Sequence, residues 1–146
     1  MTGRAVYGND VQLPNLLYGK ILRSPHAHAR ITSINTTQAK ALKGVYAVLT
    51  ADDIPGENQM GPVIHDEPCL ASGEVHCIGQ AVVLIAAVDE ETARQAERLL
   101  EIKYEPLHAV TDLRTAIRDN MLLAPERIMQ RGEVIQAMDK APHVLK

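Results

Sequence analysis

The clearest pattern in the chain is an unbroken apolar run, Ala81-Val82-Val83-Leu84-Ile85-Ala86-Ala87-Val88, entered from Gln80. A strand with one wet face alternates apolar and polar residues, so an unbroken run predicts a central strand buried on both faces. Asp89 follows as an N-cap, and Glu90 and Glu91 fall in a first turn where the helix dipole favours acids. Ala93, Ala96, Leu99 and Leu100 form an apolar stripe at helical spacing, with Glu90 and Arg94 one turn apart on the outer side. Ile102-Lys103-Tyr104 predicts a short strand ended by Pro106. A strand–helix–parallel strand connection here would be right-handed.

Upstream, the first fifteen residues mix Gly, Asn, Asp and Pro and predict an irregular arm. Leu16 to Arg23 reads as a strand, with Leu17, Gly19, Ile21 and Arg23 on one face. Pro25 breaks it, and a second strand follows in Ala29 to Ile34. Strict alternation there points Ile31 and Ile34 to opposite faces, which predicts a bulge or a strand end. Thr36 or Thr37 caps a short helix through Leu42, Gly44 sits where a left-handed residue ends it, and Val45 to Leu49 is the next strand. Ala51 to Gly56 allows one helical turn. Glu57 to Glu74 has no periodicity and is a long irregular loop, a length that is usually functional. Thr111 is placed to cap a short helix holding Leu113, Ala116 and Ile117. From Arg118 to Lys146 the periodicity is weak, apart from a helical turn in Glu133 to Met138.

The length of 146 residues suits one domain, or one and a fraction. With no Phe, no Trp and four Tyr, the core must be aliphatic. The chain has almost no aromatic platforms for bases, no basic run and a net charge of −3, all of which argue against nucleic acid as a partner. No apolar run approaches the ~20 residues that cross a bilayer, and the start lacks an apolar leader core. No membrane partner and a cytoplasmic location are expected. Cys69 and Cys77 fit neither a zinc pair nor an iron–sulfur spacing and are read as reduced thiols.

Candidate chemistry is sparse. His26 and His28 share a face if the strand reaches them, and two imidazoles can hold one metal, but a third ligand is not evident, although His65 and His76 exist. Two surface histidines beside a turn, with no metal site, is the expectation. His65-Asp66-Glu67 offers acid–base groups without a nucleophile. His76 and Cys77 are adjacent, so on a strand they point to opposite faces and do not form a thiolate–imidazole pair. Gly61, Gly73 and Gly79 are scattered, and none opens the Asp89 helix as a phosphate cradle would. The residues alone support an α+β or α/β domain with a long central loop.

A series of segments carries more. Thr2-Gly3-Arg4-Ala5-Val6-Tyr7-Gly8-Asn9-Asp10 is followed by Leu13-Pro14-Asn15-Leu16-Leu17-Tyr18-Gly19 and by Leu22-Arg23-Ser24-Pro25-His26-Ala27-His28-Ala29-Arg30-Ile31. Next come Ala41-Leu42-Lys43-Gly44-Val45, Leu49-Thr50-Ala51-Asp52-Asp53-Ile54-Pro55-Gly56 and Asp66-Glu67-Pro68. Val75-His76-Cys77-Ile78-Gly79-Gln80-Ala81-Val82 and Tyr104-Glu105-Pro106-Leu107 close the series. In this order and spacing they resemble the α/β-hammerhead domain of the molybdopterin-binding large subunit of the xanthine dehydrogenase and aldehyde oxidase family. The resemblance implies an α+β hammerhead, with a mixed sheet and two or three helices, over residues 1–119. Residues 120–146 resemble the linker and the start of the molybdenum-cofactor domain, cut as its first strand opens at Val144-Leu145-Lys146.

The resemblance implies a parent oxidoreductase that hydroxylates purines, aldehydes or related heterocycles. Its molybdenum–pterin centre transfers a water-derived oxygen, and electrons leave through iron–sulfur clusters and often FAD, in other domains or subunits. In that family the glutamate base and the pterin-gripping residues lie beyond the hammerhead, so no catalytic or cofactor-binding residue and no activity are expected in this chain alone. Its expected work is to support the cofactor domain. The loop containing Val63 and Ile64 falls where a loop approaches the substrate funnel, and these two side chains are the candidate lining. Most relatives carry an aromatic residue somewhere in this loop or nearby, where this chain offers Val63 and Ile64, and Cys69 also departs from the family. The alternative is a freestanding, non-catalytic scaffold or interaction module that reuses the fold. A chain stopping on the opening of a new strand is expected to be part of a longer one.

Overall fold

The computed structural model describes residues 3–11 and 13–143; Met1, Thr2, Gln12 and the closing Val144-Leu145-Lys146 lie outside the described residues. The chain divides into two compact units, Met1–Ala109 and Val110–Lys146.

The first unit is organised by the apolar run. It forms β5 (Ala81–Ala87), in the centre of a three-stranded antiparallel sheet between β1 (Tyr18–Arg23) and β3 (Val45–Leu49). Successive strand residues face opposite ways, and Val82 and Val83 are both fully buried, so β5 has no wet face. The run overshoots the strand by one residue, because Val88 is exposed as the chain turns into the helix. That helix, α2 (Glu90–Arg98), buries Ala93 and Ala96 and partly buries Leu99 and Leu100, as its stripe requires. It packs on β1, β5 and β3. Lys20 of β1 reaches Glu97 at 3.4 Å. The buried set of β1 is therefore the even one, with Leu22 on the core and Ile21 exposed.

Asp89 caps α2 by accepting a 2.7 Å hydrogen bond from the Thr92 amide. Backbone and side-chain hydrogen bonds from Thr92 hold its carboxyl below the ordinary value of 3.8. Glu90 and Arg94 pair at 2.6 Å on the exposed side.

The remaining strands form a second antiparallel sheet in the order β4 (Glu74–Val75), β2 (Ala29–Asn35), β6 (Glu101–Pro106). The α+β class holds, and three α-helices fall among the described residues of 1–119, but the mixed sheet expected from the sequence is two antiparallel sheets. Both edges of β5 are occupied by β1 and β3, so β6 cannot join it, and α2 links two sheets rather than crossing over within one. The expected bulge in β2 exists: its register against β6 shifts between Ile31 and Ser33. The shift resolves the conflict of alternation, since Ile31 and Ile34 both pack against the core. Helix α1 (Thr37–Ala41) starts after Thr36, whose side chain makes no cap. Asn35 Oδ1 instead accepts from the Thr37 amide at 3.1 Å. Gly44 ends the turn at φ +93°, and a Cβ there would meet Val88 Cγ2 at 2.9 Å.

The second unit holds α3 (Leu113–Arg118) and α4 (Val134–Lys140). Asp112 caps α3 through the Thr115 amide at 2.8 Å, not Thr111, because only a side chain directly before the first turn reaches that donor. None of its described residues is buried; Leu122, Leu123, Ile128 and Met129 all stand exposed.

Two measurements check the frame. Ile85, 2% exposed, should cost about 2–5 kcal/mol when truncated to Ala, and the partly exposed Leu84 less, by denaturant unfolding. Lowering the pH should weaken α2: a depressed carboxyl stabilises the fold above its ordinary value of 3.8 and loses that contribution as pH falls through the lower folded-state value. Asp89→Asn should lower Tm at neutral pH and flatten its decline below about pH 4, where the unfolded carboxyl titrates.

Candidate functional site

Two neighbourhoods carry the residues singled out by sequence. The first is the loop between the short helical turn Ala51–Asp53 and β4. Its neck is clamped by one side chain. Asn58 Nδ2 donates to the Leu70 carbonyl at 2.7 Å while Asn58 Oδ1 accepts from the Leu70 amide at 3.0 Å. The side-chain amide thus serves as a strand partner for Leu70. The Met60 amide donates to the Glu67 carbonyl at 2.8 Å one step further out. Leu70 and Ala71 plug the core at 1% exposure, and the Ala71 amide donates to Ala81 of β5 at 2.8 Å. Gln59 Oε1 is buried in this neck without a hydrogen-bond partner among the described residues.

Beyond the clamp the loop closes on Gly61, which is buried and where any Cβ would fall on the Ile64 carbonyl. The tip holds Val63 at 88% exposure and Ile64 at 51%. His65 Nδ1 meets Glu57 Oε1 at 2.9 Å, both exposed, and brings no nucleophile with it. Cys69, half-buried, and Cys77, exposed, are separate thiols.

The second neighbourhood joins the segment around Ser24-Pro25-His26-Ala27-His28 to the segment from Glu74 to Gln80. Ser24, buried, accepts at its Oγ from the His26 amide at 3.0 Å and donates to the His26 carbonyl at 3.1 Å. Its backbone pairs with Gln80 and Gly79, and Arg23 Nη1 donates to the Gly79 carbonyl at 2.8 Å. Gln80 Oε1 accepts from the His76 amide at 2.7 Å.

The histidines part company here. His26 turns to the Tyr104 ring, centroids 4.9 Å apart. Burial raises the Tyr104 hydroxyl above its ordinary pKa, and that hydroxyl has no hydrogen-bond partner among the described residues. His28 instead faces His76, with ring centroids 5.5 Å apart, and lies 3.8 Å from Glu74. His26 and His28 are therefore not a pair, and the companions of His28 are Glu74 and His76. Sequence reasoning missed Glu74 because β4 has only two residues and sits at the end of an irregular loop. The signal lies in the pairing of β2 with β4, a tertiary fact.

Neither an iron–sulfur cluster nor a phosphate-bearing group fits the described residues. Two cysteines cannot supply the four thiolates of an iron–sulfur cluster. The N-terminus of α2, the natural phosphate cradle, is closed by the Asp89 carboxylate and flanked by Glu90 and Glu91.

Comparison with known proteins agrees with the fold. The family model for the aldehyde oxidase and xanthine dehydrogenase a/b hammerhead domain matches residues 2–108. A probable xanthine dehydrogenase subunit of Bacillus subtilis (strain 168) is 37% identical over 135 residues, which span 92% of this chain and 18% of that protein. The xanthine dehydrogenase/oxidase of Mus musculus is 34% identical over 145 residues, 99% of this chain and 11% of that one. The crystal structure of a Cu,Mo-containing CO dehydrogenase in its carbon monoxide reduced state aligns with a TM-score of 0.73 and 43% identity. That alignment covers 78% of this chain and 15% of its counterpart. The chain thus spans less than a fifth of these relatives. The ordered match of sequence and fold places it in one family: it belongs to the aldehyde oxidase and xanthine dehydrogenase a/b hammerhead domains.

Proposed function

We propose that this chain is the hammerhead portion of a larger molybdenum hydroxylase, and that its work there is mechanical. It supports a molybdenum-cofactor domain and presents the 57–73 loop to the route by which substrate arrives. The parent reaction is hydroxylation of a purine, an aldehyde or a related heterocycle. The molybdenum–pterin group, held by another domain, supplies oxygen transfer to an electrophilic carbon, and iron–sulfur and FAD domains or subunits carry the electrons away. This chain contributes shape and excluded volume.

The observation that carries the reading is the loop's division of labour. Its neck is tied to the core by Asn58, Leu70 and Ala71, while its tip holds Val63 and Ile64 out of it. A rigid base with an apolar tip is the arrangement expected of a wall that packs on a neighbour or lines a passage. The bare apolar side chains of the second unit, Leu122, Leu123 and Met129, support a covering domain as well. They fit residues 120–146 as the link into it, with residues 1–119 as the hammerhead. A freestanding scaffold module would leave those side chains in water.

The test is made in the full-length parent enzyme. Val63→Phe and Ile64→Phe should lower kcat/KM for a bulky substrate by about tenfold, the penalty of a misfit of methylene size or more, and change it little for a small one. Molybdenum content should stay constant. Equal effects on both substrates, or none, would leave the loop a structural contact only.

A further inference from the structure

We infer that His28, Glu74 and His76 form a binding site for one divalent transition-metal cation of the zinc class. The three side chains are brought together by sheet register. In the antiparallel pairing of β2 with β4, Ala29 faces Val75 and Arg30 faces Glu74, and just beyond this ladder the His28 and His76 rings lie 5.5 Å apart. Side chains alternate along a strand. Ala29 and Val75, both fully buried, point into the core, and His28, Arg30, Glu74 and His76 share the other face.

One ligand atom from each of His28, Glu74 and His76 lies within 4.8 Å of the others. Ligand atoms around a tetrahedral zinc are roughly 3.3 Å apart, given bonds of about 2.0–2.1 Å. His28 Nε2 and Glu74 Oε2, at 3.8 Å, are already close to that spacing.

The imidazole of His28 is prepared for this role. Its Nδ1 lies 2.8 Å from the His108 carbonyl oxygen. A carbonyl only accepts, so Nδ1 donates to it, and in the neutral ring Nε2, 3.8 Å from Glu74 Oε2, is the nitrogen left with a lone pair. A backbone carbonyl behind a ligating imidazole is the outer contact that fixes ring orientation in metal sites. The backbone beneath is held too, since the Leu107 amide donates to the His28 carbonyl at 3.0 Å.

Arg30 is the competing cation, 3.5 Å from Glu74 Oε1. It also holds Glu105 at 3.1 Å, so it keeps a carboxylate when Glu74 turns to the metal. The His28 and Glu74 side chains are 29% and 37% exposed, and His76 is open to solvent, which leaves room for water as the fourth ligand. Two imidazoles and one carboxylate suit Zn²⁺ better than Mg²⁺ or Ca²⁺, which prefer oxygen alone. A bound cation would fasten the two-residue β4, and with it the loop's base, to β2.

The test uses the 146-residue chain without affinity-tag histidines, stripped with chelator and titrated calorimetrically with Zn²⁺. One equivalent should bind, and Co²⁺ in its place should give the visible absorption of a tetrahedral site. His76→Ala removes an exposed side chain and should leave the circular dichroism spectrum unchanged while weakening Zn²⁺ at least about tenfold. His28→Ala and Glu74→Gln should do the same, and His65→Ala should leave binding intact. No binding of Zn²⁺ to the folded chain, or binding that survives His76→Ala, would overturn the proposal, as would equal loss in His65→Ala.

Discussion

A strand with no wet face imposes the architecture of the first unit. Val82 and Val83 are adjacent and both buried, so material must lie on either side of β5, and its two edges must be paired because no water reaches its backbone. Strands β1 and β3 take those edges, and α2 settles on the sheet they form. The other strands are left to pair among themselves around β2. Even Gly44 follows from this. The Val88 amide donates to the Gly44 carbonyl at 2.9 Å as the chain leaves β5, and a Cβ on Gly44 would fall against the Val88 and Thr92 side chains.

Local signals were legible where the physics is local. The Asp89 cap, the Glu90–Arg94 pair, the stripe of α2 and the left-handed turn at Gly44 all depend on residues within a few positions of one another. The bulge in β2 was legible as a conflict: two isoleucines on opposite parities cannot both be buried in a regular strand, and burial won. What the residues could not reveal was which strands share a sheet. Strand–helix–strand order suggests a parallel crossover, and nothing in Ile102-Lys103-Tyr104 announces a distant partner in β2.

The candidate site divides in the same way. Val63 and Ile64 are readable as apolar residues in a loop, and the structure places them at its exposed tip. The clamp by Asn58 is invisible in sequence, because an asparagine twelve residues from its partner looks like any polar loop residue. Likewise the grouping of His28 with Glu74 and His76 depends on a two-residue strand whose register is set by the burial of Ala29 and Val75. Chemistry on one face of a sheet is thus fixed by packing on the other.

The clamp at Asn58 has an evolutionary consequence. By closing the neck with two hydrogen bonds, it separates the part of the loop that must fit the core from the part that meets the outside. Lengthening a loop whose ends are already joined costs only about 0.6 kcal/mol per doubling, so insertions beyond the neck are nearly neutral for folding. The exposed part of the loop around Val63 and Ile64 is thereby free to diversify in length and composition, while Gly61 is held to glycine by steric need. Descendants of a common scaffold can remodel whatever this tip faces without renegotiating the core beneath it.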